Sequence, residues 1–209
     1  IDYGASGDSI VFTAAQTWNS STLSGGSGND TISLGASATL SQSVVSGDAG
    51  EDVMAITAQL ISSTVYAGSE ADSVVLAVAL QSGNTVYLQD GNDTATFTSG
   101  VGQATIDAGA GNDSLEFNGA VSGATITGTG ADSLIFNGAS NTAVIAVADA
   151  GSLVSFGLGA DLATFSTGVG ASTIYGGVGN DTFKFAGTVG AATIDAGAGN
   201  DSLEFNGAV

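Results

Sequence analysis

The stretch Gly25-Gly-Ser-Gly-Asn-Asp30, followed at once by the alternating run Thr31-Ile-Ser-Leu34, recurs along this chain. It returns almost unchanged at residues 176–181, and with one glycine replaced by alanine at residues 108–113 and 196–201. Each copy is a glycine-rich loop that ends in aspartate and leads directly into a short strand-like run. This loop and strand form the repeating unit of the chain, and internal repeats decide the fold.

The aspartate that ends the loop recurs every 19 to 22 residues, apart from one step of 29 residues between Asp132 and Asp161. The ten positions are Asp8, Asp30, Asp52, Asp72, Asp93, Asp113, Asp132, Asp161, Asp181 and Asp201. Apolar residues beside these loops alternate with period two, which is typical of half-buried strands. Two strands and two turns per unit predict an all-β fold, a parallel two-sheet β-solenoid (a β-roll) of about ten coils of about 20 residues.

Residues 192–209 are identical to residues 104–121, so the chain ends inside a repeat, as it also begins inside one. We expect residues 1–209 to form a single repeat solenoid taken from a longer repetitive protein. The 29-residue step corresponds to one coil and about half a coil. Either the Gly-Asp loops move to the opposite edge after Asp149, or a half-coil bulges out within residues 137–161. Even strand spacing favours the edge switch.

Composition limits the possible functions. The 209 residues carry a formal net charge of −19, with Lys184 as the one basic side chain and no His or Cys. Nucleic acid is excluded as a partner because phosphate binding needs clustered Lys and Arg. We expect no membrane insertion, since no apolar run is long enough to span a bilayer. General bases and activated nucleophiles have almost no candidates, so we expect no enzymatic activity.

The loops resemble the glycine-rich nonapeptide repeat of RTX (hemolysin-type) proteins, whose pattern is Gly-Gly-x-Gly-x-Asp-x-apolar-x. Residues 25–33 and 176–184 match this pattern in full, whereas residues 67–72 diverge furthest. In that family the loops bind calcium between stacked coils through the aspartate and loop carbonyls, so the resemblance implies several Ca²⁺ ions. Besides the ten aspartates, it points to Gly25, Gly28, Asn29, Gly109, Gly111, Asn112, Gly177, Gly179, Asn180, Gly197, Gly199 and Asn200. Only one turn of each coil carries the loop. This one-sided unit looks more like the calcium solenoids of bacterial surface adhesins, and it implies one row of ions, apart from the edge switch considered above.

Elementary electrostatics agrees with this implication. Stacking places neighbouring loop aspartates about 4.8 Å apart, and each pair then costs on the order of 1 kcal/mol even in bulk water. Calcium prefers six to eight oxygen ligands. The alternative is that each aspartate only caps its turn through an Asx-type hydrogen bond. The asparagines that precede several of these aspartates would either add ligands or form an Asn ladder of their own: Asn29, Asn92, Asn112, Asn180 and Asn200.

Two further sets of residues recur in phase. Threonines are predicted to share one outward column, interrupted by Val44: Thr22, Thr64, Thr85, Thr105, Thr125, Thr173 and Thr193. We interpret them as outward strand formers rather than as a flat ice-binding lattice. Five phenylalanines are predicted to stack inward: Phe97, Phe117, Phe136, Phe185 and Phe205.

These observations predict a calcium-stabilised, extracellular structural segment of a bacterial surface or secreted protein, such as a fibre, surface layer or adhesin stalk. The resemblance implies type I secretion. One alternative is the repeat domain of a secreted enzyme or toxin whose active domain lies elsewhere. An ice- or glycan-binding module is a weaker alternative. Open solenoid ends also allow a second copy as a partner, end to end or side by side.

Overall fold

A computed structural model describes residues 1–147 and 151–209 of the chain. The strands of the first half are β1 (Ser9–Phe12), β2 (Thr17–Asn19), β3 (Thr22–Ser27), β4 (Thr31–Leu34), β5 (Thr39–Ser41), β6 (Val44–Ala49), β7 (Val53–Ile56), β8 (Gln59–Ile61), β9 (Thr64–Ser69), β10 (Ser73–Leu76), β11 (Thr85–Asp90) and β12 (Thr94–Phe97). Those of the second half are β13 (Thr105–Ala110), β14 (Ser114–Phe117), β15 (Ser122–Thr129), β16 (Ser133–Phe136), β17 (Thr142–Val147), β18 (Leu153–Phe156), β19 (Leu162–Phe165), β20 (Thr173–Tyr175), β21 (Thr182–Phe185), β22 (Thr193–Asp195) and β23 (Ser202–Phe205). No helix within the described ranges is long and apolar enough to cross a membrane.

The strands form a parallel β-solenoid, which confirms the predicted fold class. The first sheet has ten strands in the order β1-β4-β7-β10-β12-β14-β16-β18-β20-β22. The second sheet also has ten, in the order β3-β6-β9-β11-β13-β15-β17-β19-β21-β23. Turns that lead from the second sheet to the first form the first edge of the solenoid, and turns that lead back form the second edge.

Alternation within each strand produces the core. In β14, Leu115 and Phe117 are fully buried between the sheets, while Glu116 faces outward. The facing strand β13 contributes Ile106 and the small Ala108, both also buried. Because every coil repeats this pattern in register, the interior is a thin apolar layer that runs along the solenoid.

A third sheet was not foreseen from the sequence. Strands β2, β5 and β8 pair in parallel across the second edge of the first three coils. Their inward residues Leu40 and Leu60 are buried, and Trp18 packs edge-on against Phe12 with ring centroids 4.6 Å apart. In these coils the turn on the second edge is longer, and its additional residues form the short third sheet.

The two strand types exchange sheets within residues 142–165. Strands that follow a Gly-Asp loop lie in the first sheet up to β16, but β19, β21 and β23 lie in the second sheet. Strand β17 pairs with β19, and β18 pairs with both β16 and β20, so residues 137–147 and 151–161 contain no bulged half-coil. The Gly-Asp loops therefore move from the first edge to the second. Asp149, where the sequence placed the switch, lies outside the described residues.

This exchange changes the predicted side-chain columns. Thr173 and Thr193 lie in the first sheet, whereas the earlier threonines lie in the second, so the prediction of one threonine column is wrong. In the second sheet, Thr125 is followed by Val144 and Thr164. An edge switch moves the strands that precede the loops to the other sheet, and the predicted threonine column did not take that move into account.

The phenylalanines likewise form two stacks rather than one. Phe97, Phe117, Phe136 and Phe156 stack in the first sheet with centroids 4.6 to 4.8 Å apart. Phe165, Phe185 and Phe205 stack in the second sheet at 4.9 Å. Phe183 lies between them, 5.3 Å from Phe156 and 6.3 Å from Phe165. The aromatic core thus passes from one sheet to the other at the switch.

Candidate metal site

The ten aspartates predicted from the sequence all occupy one structural position, the residue immediately before a strand. We call it the strand-preceding position. On the first edge the backbone N–H of each aspartate donates to Oδ1 of the aspartate in the next coil, at 2.7 to 3.0 Å. These bonds link Asp8, Asp30, Asp52, Asp72, Asp93, Asp113 and Asp132 into one ladder.

The remaining three aspartates continue the same arrangement on the second edge. Asp161 N–H donates to Asp181 Oδ1 at 2.8 Å, and Asp181 N–H donates to Asp201 Oδ1 at 2.9 Å. The structure therefore divides the predicted single row into two rows on opposite edges. There are six adjacent aspartate pairs on the first edge and two on the second, eight in all.

The second carboxylate oxygen has no such partner. Oδ2 is buried and accepts no hydrogen bond in eight of these residues: Asp8, Asp30, Asp52, Asp72, Asp93, Asp113, Asp161 and Asp181. Most of these side chains are almost completely inaccessible; Asp52 and Asp93, for example, are each 1% exposed. Buried polar atoms without partners are rare and costly. The bond to Oδ1 joins two coils, so it differs from the predicted Asx-type cap within one turn, and it leaves Oδ2 unexplained.

Neutral residues at the same position provide an internal comparison. On the second edge, Ser21 N–H donates to Ser43 Oγ at 3.2 Å, Ser43 N–H to Ser63 Oγ at 3.1 Å, and Ser63 N–H to Asn84 Oδ1 at 3.1 Å. These side chains accept the same ladder bond as the aspartates.

Serine and asparagine also donate. Ser43 and Ser63 hydroxyls lie 3.1 Å from the carbonyls of Trp18 and Leu40 in the preceding coil, and Asn84 Nδ2 lies 3.1 Å from that of Leu60. An ionised carboxylate has no proton to offer. An aspartate at this position therefore has a side chain that offers only acceptors, as the ligands of a cation do.

Glycine five residues before the aspartate keeps space beside Oδ2. A Cβ on Gly47 would lie 2.2 Å from Asp52 Oδ2 and 2.3 Å from the carbonyl oxygen of Ala67 in the next coil. One carboxylate oxygen and one main-chain oxygen therefore face the same small space. At Gly111, φ is +144° and a Cβ would lie 1.4 Å from the Gly91 carbonyl, so only glycine lets the stacked loops approach this closely.

Burial also changes the acidity of these carboxyl groups. Desolvation raises the pKa of Asp52 and Asp93 from 3.8 to about 6. Desolvation, together with a smaller effect of the neighbouring ladder carboxylates, raises the pKa of Asp72 and Asp113 from 3.8 to about 7. The ladder hydrogen bond from the preceding coil acts in the opposite direction and only partly compensates. In the absence of a cation, ionisation of the ladder opposes folding.

The asparagines predicted as ligands form a second ladder. Asn29 Oδ1 accepts from Glu51 N–H at 3.1 Å, and Asn92 Oδ1 accepts from Asn112 N–H at 2.8 Å. Asn112 and Asn180 accept equivalent bonds from the next coil, at 2.8 and 2.9 Å. The structure thus favours the Asn-ladder alternative for these amide oxygens.

The donor set fits calcium. Calcium takes oxygen ligands, including carboxylates and main-chain carbonyls, and tolerates irregular geometry. Within residues 1–147 and 151–209, no three acidic, His or Cys side chains converge on one point. Each pair of adjacent loops would therefore supply mainly carbonyl oxygens, with one buried carboxylate oxygen to balance charge.

Some functional features were missed from the sequence. Three consecutive loops place non-glycine residues at positive φ where other loops use glycine: Asp48 at 77°, Glu70 at 75° and Gln89 at 75°. The Ser and Asn members of the strand-preceding position were also missed. Ser21, Ser43 and Ser63 are spaced 22 and 20 residues apart, like the aspartates, and that spacing was the available signal.

Comparison with known proteins gives similarity to a repeat family and to a solved structure. The family model of the RTX calcium-binding nonapeptide repeat matches four stretches, residues 18–38, 98–116, 163–187 and 186–204, which contain the loops ending at Asp30, Asp113, Asp181 and Asp201. Comparison with curated protein sequences gives no match.

Among solved structures, the chain is similar to a hyperactive, Ca²⁺-dependent, β-helical antifreeze protein from an Antarctic bacterium, with 21% sequence identity and a TM-score of 0.48. The match covers 97% of this chain and 65% of that one. The four family matches contain four of the ten loops whose aspartates form the two ladders. Four stretches of the chain therefore match the RTX calcium-binding nonapeptide repeat.

Proposed function

We propose that calcium ions bind between successive Gly-Asp loops and clamp coil to coil along both edges of the solenoid. The observation that carries this proposal is the set of buried Asp Oδ2 atoms without a donor, at a position where Ser and Asn supply one. A bound cation would compensate the carboxylate charge and offset repulsion between stacked aspartates. Binding free energy would then become folding free energy.

The residues that would hold each ion follow from the loop geometry. In the Asp52 loop they are Asp52 Oδ2 and main-chain oxygens such as that of Ala67, with Gly47 keeping the space open. The Asp181 loop repeats this arrangement on the other edge, where a Cβ on Gly176 would lie 2.2 Å from the Ala196 carbonyl and 3.1 Å from Asp181 Oδ2. With one ion for each adjacent aspartate pair, the chain would bind eight ions.

We further propose that the protein is an extracellular structural segment of a bacterial surface or secreted protein. Ten coils about 4.8 Å apart give a rod roughly 48 Å long. Eight doubly charged ions would offset most of the formal net charge of −19. Low calcium inside the cell would keep the chain unfolded for type I export, and high calcium outside would fold it. RTX repeats are typical of secreted proteins, which supports this proposal.

A structural role is favoured over catalysis. The outward acids Asp107 and Asp195 belong to copies of one repeated unit, as do Glu116 and Glu204, whereas a catalytic site needs a unique constellation. Ice binding is not favoured, because Tyr66, Tyr87 and Asp107 stand beside the threonine column of the second sheet and interrupt a flat lattice.

Small-angle X-ray scattering at high and at negligible free calcium tests this proposal. At physiological temperature we expect a compact rod in millimolar calcium and an expanded chain after chelation, with full recovery when calcium is restored; melting of the calcium-free chain is then followed from lower temperature. A rod of unchanged dimensions in chelator would show that calcium does not hold the solenoid, and the export argument would fail with it.

A further inference from the structure

Each aspartate row ends next to a neutral residue at the strand-preceding position. On the second edge, the strand-preceding position next to Asp161 is Asn141, which is completely buried. Its Oδ1 accepts from Val121 N–H at 3.1 Å, and its own N–H donates to Asp161 Oδ1 at 2.5 Å. Asn141 therefore continues the ladder that Asp161 belongs to.

The amide group of Asn141 does something no aspartate can do. Nδ2 donates to the carbonyl of Gly138 at 2.7 Å and to Asp161 Oδ1 at 2.9 Å. One main-chain oxygen of the same turn and the ladder oxygen of Asp161 thus converge on a side-chain donor, which an ionised aspartate at this position could not supply. At the end of the other row, Ser152 accepts from Asp132 N–H at 3.2 Å, and its hydroxyl lies 3.1 Å from the Gly130 carbonyl.

We propose that Asn141 and Ser152 end the calcium rows by supplying hydrogen-bond donors in place of an ion, so that the coils at the switch are held together without metal. This inference rests on the proposed calcium function. According to this inference, the residue at the strand-preceding position decides whether a calcium ion binds between two coils. Two successive aspartates form a site, and a Ser or Asn next to an aspartate ends the row.

The substitution Asn141→Asp tests this directly. It keeps the ladder acceptor, removes the Nδ2 donor and creates a new adjacent aspartate pair with Asp161. We expect one additional calcium ion per chain by isothermal titration calorimetry. In chelator we expect a lower melting temperature than that of the unsubstituted protein, because a buried acceptor replaces a donor.

Asn84→Asp is the matched control. Asn84 is equally buried, accepts the same ladder bond and donates to Leu60, but its neighbours in the ladder are Ser63 and Ala104. Asn84→Asp should also have a lower melting temperature in chelator than the unsubstituted protein. It should bind no additional calcium ion, and calcium should not restore the stability that the substitution removes.

Three outcomes separate the proposals. If the unsubstituted protein binds no calcium, the proposed function fails. If it binds calcium but Asn141→Asp gains no ion, or Asn84→Asp gains one too, the inference on row ends is overturned while the calcium function stands.

If Asn141→Asp does not fold, the variant Asn141→Ala provides a second test. It should lower the melting temperature in chelator without changing the ion count, and an unchanged melting temperature would overturn the inference.

Discussion

The backbone N–H of Asp72 donates to Oδ1 of Asp93 at 2.8 Å, while Oδ2 of both residues stays buried without a donor. One side chain therefore has two separable tasks. Oδ1 closes a hydrogen-bonded ladder that Ser and Asn close equally well elsewhere in the chain. Oδ2 leaves a negative charge facing the loop, and only a cation or a proton can satisfy it.

Replacing Asp93 by Asn should separate these tasks. Asn keeps an acceptor for Asp72 N–H but removes the charge, so the sites on both sides of Asp93 should weaken and the ion count should fall by one or two. In chelator the variant should be more stable by about 1 to 2 kcal/mol, since each unit of raised pKa corresponds to about 1.4 kcal/mol before solvent screening. Calorimetry and thermal melting measure the two effects.

Asp90→Asn is the control for that variant. Asp90 lies in the same loop but is exposed and outside the ladder. It should leave the ion count unchanged. Equal losses of calcium in both variants would show that general acidity, rather than ladder position, determines binding.

Without calcium, stability should fall as pH rises from about 4 to about 7. The folded-state pKa of Asp72 and Asp113 is about 7, raised from 3.8, so in this window the folded chain binds more protons than the unfolded chain. Protonation therefore favours folding. Calcium-free protein should melt at a higher temperature near about pH 4.5 than near about pH 7.5.

With excess calcium the order should reverse, because the metal needs ionised carboxylates and loses affinity as they are protonated. A calcium-free protein that melts lower in acid would contradict the assignment of these raised pKa values to the ladder.

The asparagine ladder should contribute stability but not ligands. Asn112→Ala removes the acceptor for Ala131 N–H, so it should cost about 1 kcal/mol of unfolding free energy while the calcium count stays constant. Asp113→Asn, one residue later, should lower the count. Loss of an ion in Asn112→Ala would restore the asparagines to the ligand set.

Phe183 should be critical for the switch between sheets, because it contacts the stacks of both sheets through Phe156 and Phe165. Phe183→Ala should cost about 3 to 5 kcal/mol in calcium-loaded protein, the usual range for a buried phenylalanine. Phe205, which is 41% exposed, is the control and should cost much less. Urea unfolding monitors both, and equal costs would show that the bridging contact is unimportant.

Periodicity allowed the coil, the strand positions and the aspartate ladder to be predicted, because the same spacing carries the Asp and the apolar pair after it. The spacing between Asp132 and Asp161 also indicated the edge switch. The exchange of sheets places Thr173 in the first sheet, whereas the earlier threonines lie in the second. It depends on which strands pair, and no local sequence pattern encodes strand pairing. Asn141 and Ser152 could not be recognised because a single Asn or Ser before a strand is common in turns.

The central claim is that calcium, rather than turn capping alone, satisfies the ladder carboxylates. Circular dichroism at physiological temperature during a calcium titration of the chelated 209-residue chain, with the ions counted by calorimetry, tests it most directly. We predict cooperative gain of β-structure as about eight ions bind, one for each adjacent aspartate pair. A chain that is equally folded in chelator and binds no calcium would contradict the account and leave the aspartates as turn caps.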